Sequence, residues 1–389
     1  MNNNIILNDD PQVHTQLLPL TFTRPTAELL VGMTTIRRKW ERYLPGEYSY
    51  ATTDYLSELF PMDEPDGATL FIQSNLLPDP YLAEAIASLS AGQALVDQEG
   101  KTLAWVGIDG PTEKTTYDRQ YTAIQRPYDI FLLNGQEIMA DYAWLTEGRS
   151  GQPISRSCTV IGDPSQVFIE EGATVEGAFL NTKNGPIYVG RDAEVMEGSC
   201  LRGPIAIMDG STVNMGAKIY GPTTIGAHCK VGGELNNVVM HPYSNKAHDG
   251  FLGNAVIGSW CNLGGGCVAS NLKNDYTEIK LWDYSTRRFA RTGLLHCGLI
   301  MGDHSKAGIN TMFNTATVVG VGVNIHGTGF PRNFVASFSE GSAGTGFVDV
   351  SMAKFFAIAE RVMARRDVEL TEADRRLFTR LHELTESYR

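Results

Sequence analysis

From Val189 onward an aliphatic residue recurs at every sixth position: Val189, Val195, Leu201, Ile207, Val213, Ile219, Ile225 and Val231. Four residues after each stands Ala193, Ser199, Ile205, Ser211, Ala217, Thr223, Cys229 or Leu235, most of them small, and Gly198, Pro204, Gly210, Gly216 and Pro222 fall between. The same period holds for Ile169 and Val175, for Phe251, Ile257, Leu263 and Ala269, and for Leu295, Met301, Ala307, Phe313, Val319 and Ile325. A six-residue spacing also satisfies the alternation of an ordinary strand, so an antiparallel sandwich competes. A sandwich shows turns every roughly eight to twelve residues between strands of uneven length. Strict hexads instead predict a parallel β-helix, whose coils stack ~4.8 Å apart and bury the aliphatic positions in a shared prism. Spacing does not set the hand of the coil. The period breaks at residues 236–250 and 271–293, both rich in polar side chains. Both are expected to loop out of the prism and carry the binding surface.

Residues 1–150 lack the hexad and read as a small α/β unit. Strands are expected at 3–7, 49–52, 69–73, 94–97 and 103–106, and helices at 26–43, 80–89 and 137–145. Residues 146–153, with two glycines and a proline, read as the linker to a β-helix over 151–345. Beyond it, Met352, Phe355, Phe356, Ala359, Val362 and Met363 share one helical face. Thr371 with Asp374 then opens a second helix carrying Leu377, Phe378, Leu381 and Leu384. Residues 346–389 are thus a helical cap, expected over the open end of the solenoid or on a neighbouring subunit. Its arginines read as a solvated face rather than a phosphate site.

The chain has 389 residues and a formal charge of -12, which argues against a nucleic-acid partner. No run of apolar residues is long enough for a membrane span. The start carries only the short run Ile5–Leu7 and no cationic segment, which leads to the expectation of a cytoplasmic protein. None of the 6 cysteines has C-x-x-C spacing, so neither a disulfide framework nor a zinc site is expected.

The string KAHDGFLGNAVIGSWCNLGGGCVASNLKND, residues 246–275, resembles the acyltransferase core of the bifunctional GlmU-like family that makes UDP-N-acetylglucosamine. That family joins a glucosamine-1-phosphate acetyltransferase to an N-acetylglucosamine-1-phosphate uridyltransferase. The matching positions are His248, Phe251, Gly253, Asn254, Ile257, Gly258, Asn262, Gly264, Gly266 and Asn271. The string LLPLTFTRPTAELLVGMTTIRRKWE, residues 17–41, resembles the nucleotidyltransferase half of a divergent bacterial branch of that family. The resemblance implies a left-handed parallel β-helix behind a nucleotidyltransferase-like domain. It also implies a homotrimer with shared sites, acetyl-CoA as co-substrate, and a sugar 1-phosphate and an NTP, UTP first among them, as partners. Magnesium is a candidate metal with unknown ligands.

Residue by residue, the resemblance makes His248 the general base that takes the proton of the sugar amine. It places Gly264, Gly265 and Gly266, with Asn271, along the thioester channel, where glycines expose backbone N–H groups. The sequence departs from the family in placing Phe251 where a tyrosine is common. Tyr220 and an asparagine near Asn237 stand where a phosphate-binding Arg and Lys belong. Lys246 and Lys273 are then the expected phosphate ligands and Glu234 the sugar ligand. In the N-terminal half the glycine-rich phosphate loop is missing, but Thr23-Arg24-Pro25 remains. Arg24, with Pro25 opening a helix, is expected on phosphate and Lys39 beside it. Asn75 stands where a metal-binding Asp is usual, with Asn134 and Asp141 as candidate compensators. Against the coupled two-step activity stand two readings: a single surviving activity, and a non-catalytic sensor of sugar phosphate or nucleotide.

Overall fold

The computed structural model of the chain describes residues 4–389. The chain divides into two compact units: the residues up to Leu29 with Thr34–Pro127 form one, and Leu30–Met33 with Tyr128–Arg389 form the other. Relative to the expected boundary at 150, this division moves the helix Pro127–Thr146, from Tyr128 on, and the segment Leu30–Met33 to the solenoid's unit.

The N-terminal unit is built on a six-stranded sheet ordered Glu47–Ala51, Asn4–Asn8, Leu70–Gln73, Thr102–Val106, Gln93–Val96, Glu113–Thr116. Asn4–Asn8 pairs in parallel with both neighbours, and Ile5, Ile6 and Leu7 are fully buried, so the strand reads as a continuous apolar run. All five expected strands are present within a residue or two, though Asn3 lies outside the described residues. The expected helix over 26–43 is not one helix. A 3-10 turn, Thr26–Glu28, is followed by Gly32 at φ +75 and then by the helix Ile36–Tyr43, capped by the Thr35 hydroxyl. Only glycine adopts that φ without strain, so the apolar pattern is interrupted where the backbone reverses.

The second unit is a left-handed parallel β-helix with C-terminal helices. Val189 pairs with Ile207 and Ile207 with Ile225, so three hexads complete a coil. Val195, Val213 and Val231 make the second column of the prism, and Leu201, Ile219 and Leu235 the third. Each hexad residue from Val189 to Val231 is buried, as are the eight residues four positions on. At ~25 cal/mol per Å² of apolar area, this continuous core is the dominant favourable term.

The two breaks differ from each other. Residues 236–250 do not loop out: Glu234–Met240 is one seven-residue strand that spans two faces, and Val231 pairs onward with Lys246. The coil is shortened rather than extended, so its polar residues remain in register. Residues 271–293 do leave the prism, as the hairpin Lys280–Asp283 with Arg288–Arg291, closed at its base by a bridge between Leu272 and His296.

The helices Met352–Ala364 and Glu372–Thr385 form as expected, the second with Thr371 and Asp374 in a reciprocal capping box. They lie along the flank rather than across the open end. Arg366 Nη2 donates to Asn245 Oδ1 at 3.2 Å, Phe378 meets the His304 ring at 5.1 Å, and Lys354 Nζ pairs with Glu340 at 2.6 Å, three points on different coils. His304 ends a stack of rings, His228 on Tyr243 on Trp260 on His304, one from each successive coil. All four residues have positive φ. No helix among the described residues is long and apolar enough to cross a membrane.

Candidate functional site

His248 lies in the turn between Asn245–Lys246 and Phe251–Ile257 and is exposed. Its backbone is held from three sides. Asn214 Nδ2 donates to Ala247 O at 2.8 Å, Gly266 N donates to Asp249 O at 2.9 Å, and Lys246 Nζ donates to the carbonyl of His248 itself. Beneath the ring is Gly265, where an added Cβ would touch His248 Cβ at 3.7 Å. The imidazole thus stands on a fixed platform and faces solvent, which suits a group that must meet a bound amine. Three residues on, Phe251 is half-buried and pairs across the coils with Glu234, whose carboxylate is half-buried on the same outer face. Phe251 and Glu234 are therefore neighbours on the strand face that follows the His248 turn.

Two expected phosphate ligands are not. Lys246 occupies a prism position between Val231 and Leu263 and is fully buried; besides the His248 carbonyl, its Nζ reaches Gly232 O at 3.4 Å. Burial pulls the Lys246 pKa down, as expected when an ammonium loses its hydration. Such a group braces the His248 turn and presents no charge to a ligand. Lys273 donates to Glu278 O at 2.9 Å within the base of the inserted segment. Of the three glycines, Gly264 N and Gly266 N already bond to Ala307 O and Asp249 O. Among the described residues no hydrogen bond engages the Gly265 N–H. Asn271 gives its Nδ2 to Asn254 Oδ1 at 2.7 Å. Asn254 in turn meets Asn237, making an asparagine ladder rather than a free donor.

In the N-terminal unit, Arg24 is half-buried, but Pro25 is the N-cap of a three-residue 3-10 turn, so the helix terminus expected beside it is absent. Lys39, expected near phosphate, is buried. Asn75 is also buried and donates to Ile124 O at 2.9 Å, a brace between chain segments. Asn134 belongs to the other unit, where its Oδ1 accepts from Gly32 N and Thr224 Oγ1; Asp141 accepts from Met33 N at 2.8 Å. Both are thus tied to the backbone of the Leu30–Met33 segment within that unit.

A buried network at the end of Asn4–Asn8 escaped the sequence reading. Asp9 accepts from His14 Nδ1 at 2.7 Å, Thr52 Oγ1 at 2.9 Å, Ser74 Oγ at 3.1 Å and Thr26 N at 3.3 Å, and His14 Nε2 meets Tyr55 Oη at 3.0 Å. Burial pushes the Asp9 carboxyl up. Its hydrogen bonds and the charge of His14 outweigh that and leave its pKa lowered. The available signal was the Asn8-Asp9-Asp10 run directly after an apolar strand. With both Asp9 oxygens engaged and Asn75 tied down, these residues do not fit a magnesium ion. Among the described residues no group of three or more His, Cys, Asp or Glu side chains could hold a metal.

Residues 5–150 match the family model described as sugar nucleotidyl transferase. Proteins named bifunctional protein GlmU are similar to the chain over parts of its length. That of Trichodesmium erythraeum is 25% identical over 36% of this chain and 25% of its own. That of Synechococcus elongatus is 22% identical over 55% of this chain and 48% of its own, and that of a Nostoc species 33% identical over 19% and 17%. The chain thus spans at most about half the length of these relatives. Among solved structures, AntD, an N-acyltransferase from Bacillus cereus in complex with dTDP and coenzyme A, covers 53% of this chain and 91% of that one. The identity is 12% and the TM-score 0.23, too loose a superposition to bear on chemistry. The chain is thus similar to a sugar nucleotidyl transferase domain over residues 5–150 and, at low identity, to parts of GlmU proteins.

Proposed function

We propose that the β-helix transfers an acetyl group from acetyl-CoA to the amine of an amino sugar bearing an anomeric phosphate, and that the N-terminal unit binds nucleotide for the coupled nucleotidyl transfer. The observation that carries this reading is the placement of His248: exposed, on a turn braced by Lys246 and Asn214, over the side-chain-free Gly265. In the transfer, the amine nitrogen attacks the thioester carbonyl, the C–N bond forms and the C–S bond breaks. The amine proton passes to His248 Nε2 or Nδ1, and the thiolate leaves and is protonated. The unengaged Gly265 N–H is the candidate donor to the developing oxyanion, and Glu234 the candidate ligand of the sugar.

Turnover of acetyl-CoA against a panel of amino-sugar 1-phosphates and nucleoside-diphosphate amino sugars tests this. His248→Ala is expected to lower turnover about 100-fold to 10,000-fold while acetyl-CoA binding stays near wild type. Turnover that survives the substitution would sink the assignment. The saturated Asp9 and tethered Asn75 favour a second reading, in which only the acyl transfer is catalysed and the N-terminal unit recognises nucleotide without metal-assisted chemistry. Nucleotide binding without pyrophosphate release would select it.

A further inference from the structure

On the outer face that carries Glu234 and Phe251, two columns of side chains continue into the earlier coils. Phe179, Cys200 and Lys218 precede Glu234 in one, and Asn181, Arg202 and Tyr220 precede Asn236 in the other. The six side chains of those earlier coils, with Ile161, line a concave groove of about 240 Å³ that stops one coil short of Glu234. Its chemistry is unequal along its length. Arg202 and Lys218, on neighbouring coils, are exposed, and among the described residues neither forms an ion pair or a side-chain hydrogen bond. Glu234, the cross-strand neighbour of Lys218, is not in ion-pair range. Farther from His248, the groove ends in exposed apolar surface, Phe179 and Ile161, with Tyr220 alongside the cations.

Two unpaired cations set diagonally, one coil (~4.8 Å) and two residues along the strand (~7 Å) apart, suit the two phosphates of a diphosphate rather than a single phosphate. Apolar and aromatic surface beyond them suits a nucleoside, because every base offers a face for stacking. Counting coils, Lys218 lies ~10 Å and Arg202 ~14 Å from the coil of Phe251, which follows His248. That order places a sugar by Glu234 and Phe251, a pyrophosphate by Lys218 and Arg202, and a base against Phe179. We propose that this groove holds the nucleoside diphosphate of a nucleotide-activated amino sugar. The acyl acceptor is then a nucleoside-diphosphate sugar, and nucleotidyl transfer precedes acylation. The acceptor assignment rests on the acyl-transfer reading of His248; the occupancy of the groove does not.

Cys200, exposed in the groove while four of the other cysteines are buried and Cys158 is half-buried, supplies a local probe. The full-length protein is treated with a maleimide, and alkylation of Cys200 is followed by peptide mass analysis without acetyl-CoA. UDP or ADP at saturation is expected to slow that alkylation about tenfold or more, the protection set by ligand concentration over its dissociation constant. Inorganic phosphate and glucosamine-1-phosphate are expected to leave it within about twofold. Arg202→Ala with Lys218→Ala should abolish the protection, while Arg202→Lys with Lys218→Arg, which keeps both charges, should retain it. Because these two cations line the groove itself, their dependence makes the readout local to it. An alkylation rate indifferent to UDP and ADP overturns the proposal. So does equal protection by glucosamine-1-phosphate, or a Cys200 that is unreactive in the free protein. Protection in His248→Ala together with failed acetyl transfer in the wild type would separate the two readings, keeping the groove and discarding the transfer.

Discussion

Lys246 shows how one side chain can serve the site without touching a ligand. It fills the place of an aliphatic residue in the prism, and its ammonium caps the Gly232 and His248 carbonyls, so the turn that presents His248 is tied to the core. Burying a charge this way is costly, and an apolar side chain of similar volume often stabilises such a position. Lys246→Met is therefore expected to change stability by less than about 1.5 kcal/mol, measured by denaturant unfolding. The same variant loses the donor to the His248 carbonyl, and its acetyl transfer should fall about tenfold, in kcat rather than in KM. A large loss of stability with unchanged kcat would make Lys246 a structural residue only. The sequence named Lys246 but assigned it to phosphate. A lysine beside a motif histidine reads as a ligand until the register shows that it points into the prism.

At the scale of elements, the hexad made the solenoid legible because each coil repeats the same burial at the same phase. The shortened coil through residues 236–250 was not legible. Its Ser244, Asn245 and Lys246 look like loop residues, yet backbone pairing holds them in the stack. In the N-terminal unit the strands were readable as apolar runs, while the Asp9 network was not, because its partners His14, Thr26, Thr52 and Ser74 are scattered along the chain. That network has a pH signature. The folded pKa of Asp9 lies below its ordinary value of 3.8, so its contribution is complete above that value and is lost as pH falls through the folded pKa. Acid unfolding of the N-terminal unit should steepen below about pH 4. Asp9→Asn should flatten that segment of the curve, at a loss of about 3 kcal/mol at neutral pH from breaking a buried pair. An unaltered pH profile in Asp9→Asn would show that the network contributes nothing to stability.

For the whole molecule, the site around His248 is open on one side. Met215 is 71% exposed and Ile309 74% exposed, on turns of coils before and after His248, and Val268 is exposed beside Phe251. A site that excludes water from a thioester needs those apolar tips covered, and a second copy of the chain, as the GlmU-like resemblance implies, would cover them. Trimerisation, legible only through that resemblance, is the proposal that completes the site. Sedimentation at micromolar concentration is expected to give a trimer with or without ligand. Burying one Ile or Met side chain contributes about 1.5–3 kcal/mol, so replacing both with acids should dissociate the assembly. Met215→Asp with Ile309→Asp is then expected to sediment as a monomer with an unchanged β-sheet circular dichroism spectrum, since both side chains lie outside the prism. Its acetyl transfer should fall more than about tenfold while His248 is intact. A wild-type protein that sediments as a monomer, yet turns over acetyl-CoA, would place the whole site on one chain. The exposed Met215 and Ile309 would then need another partner.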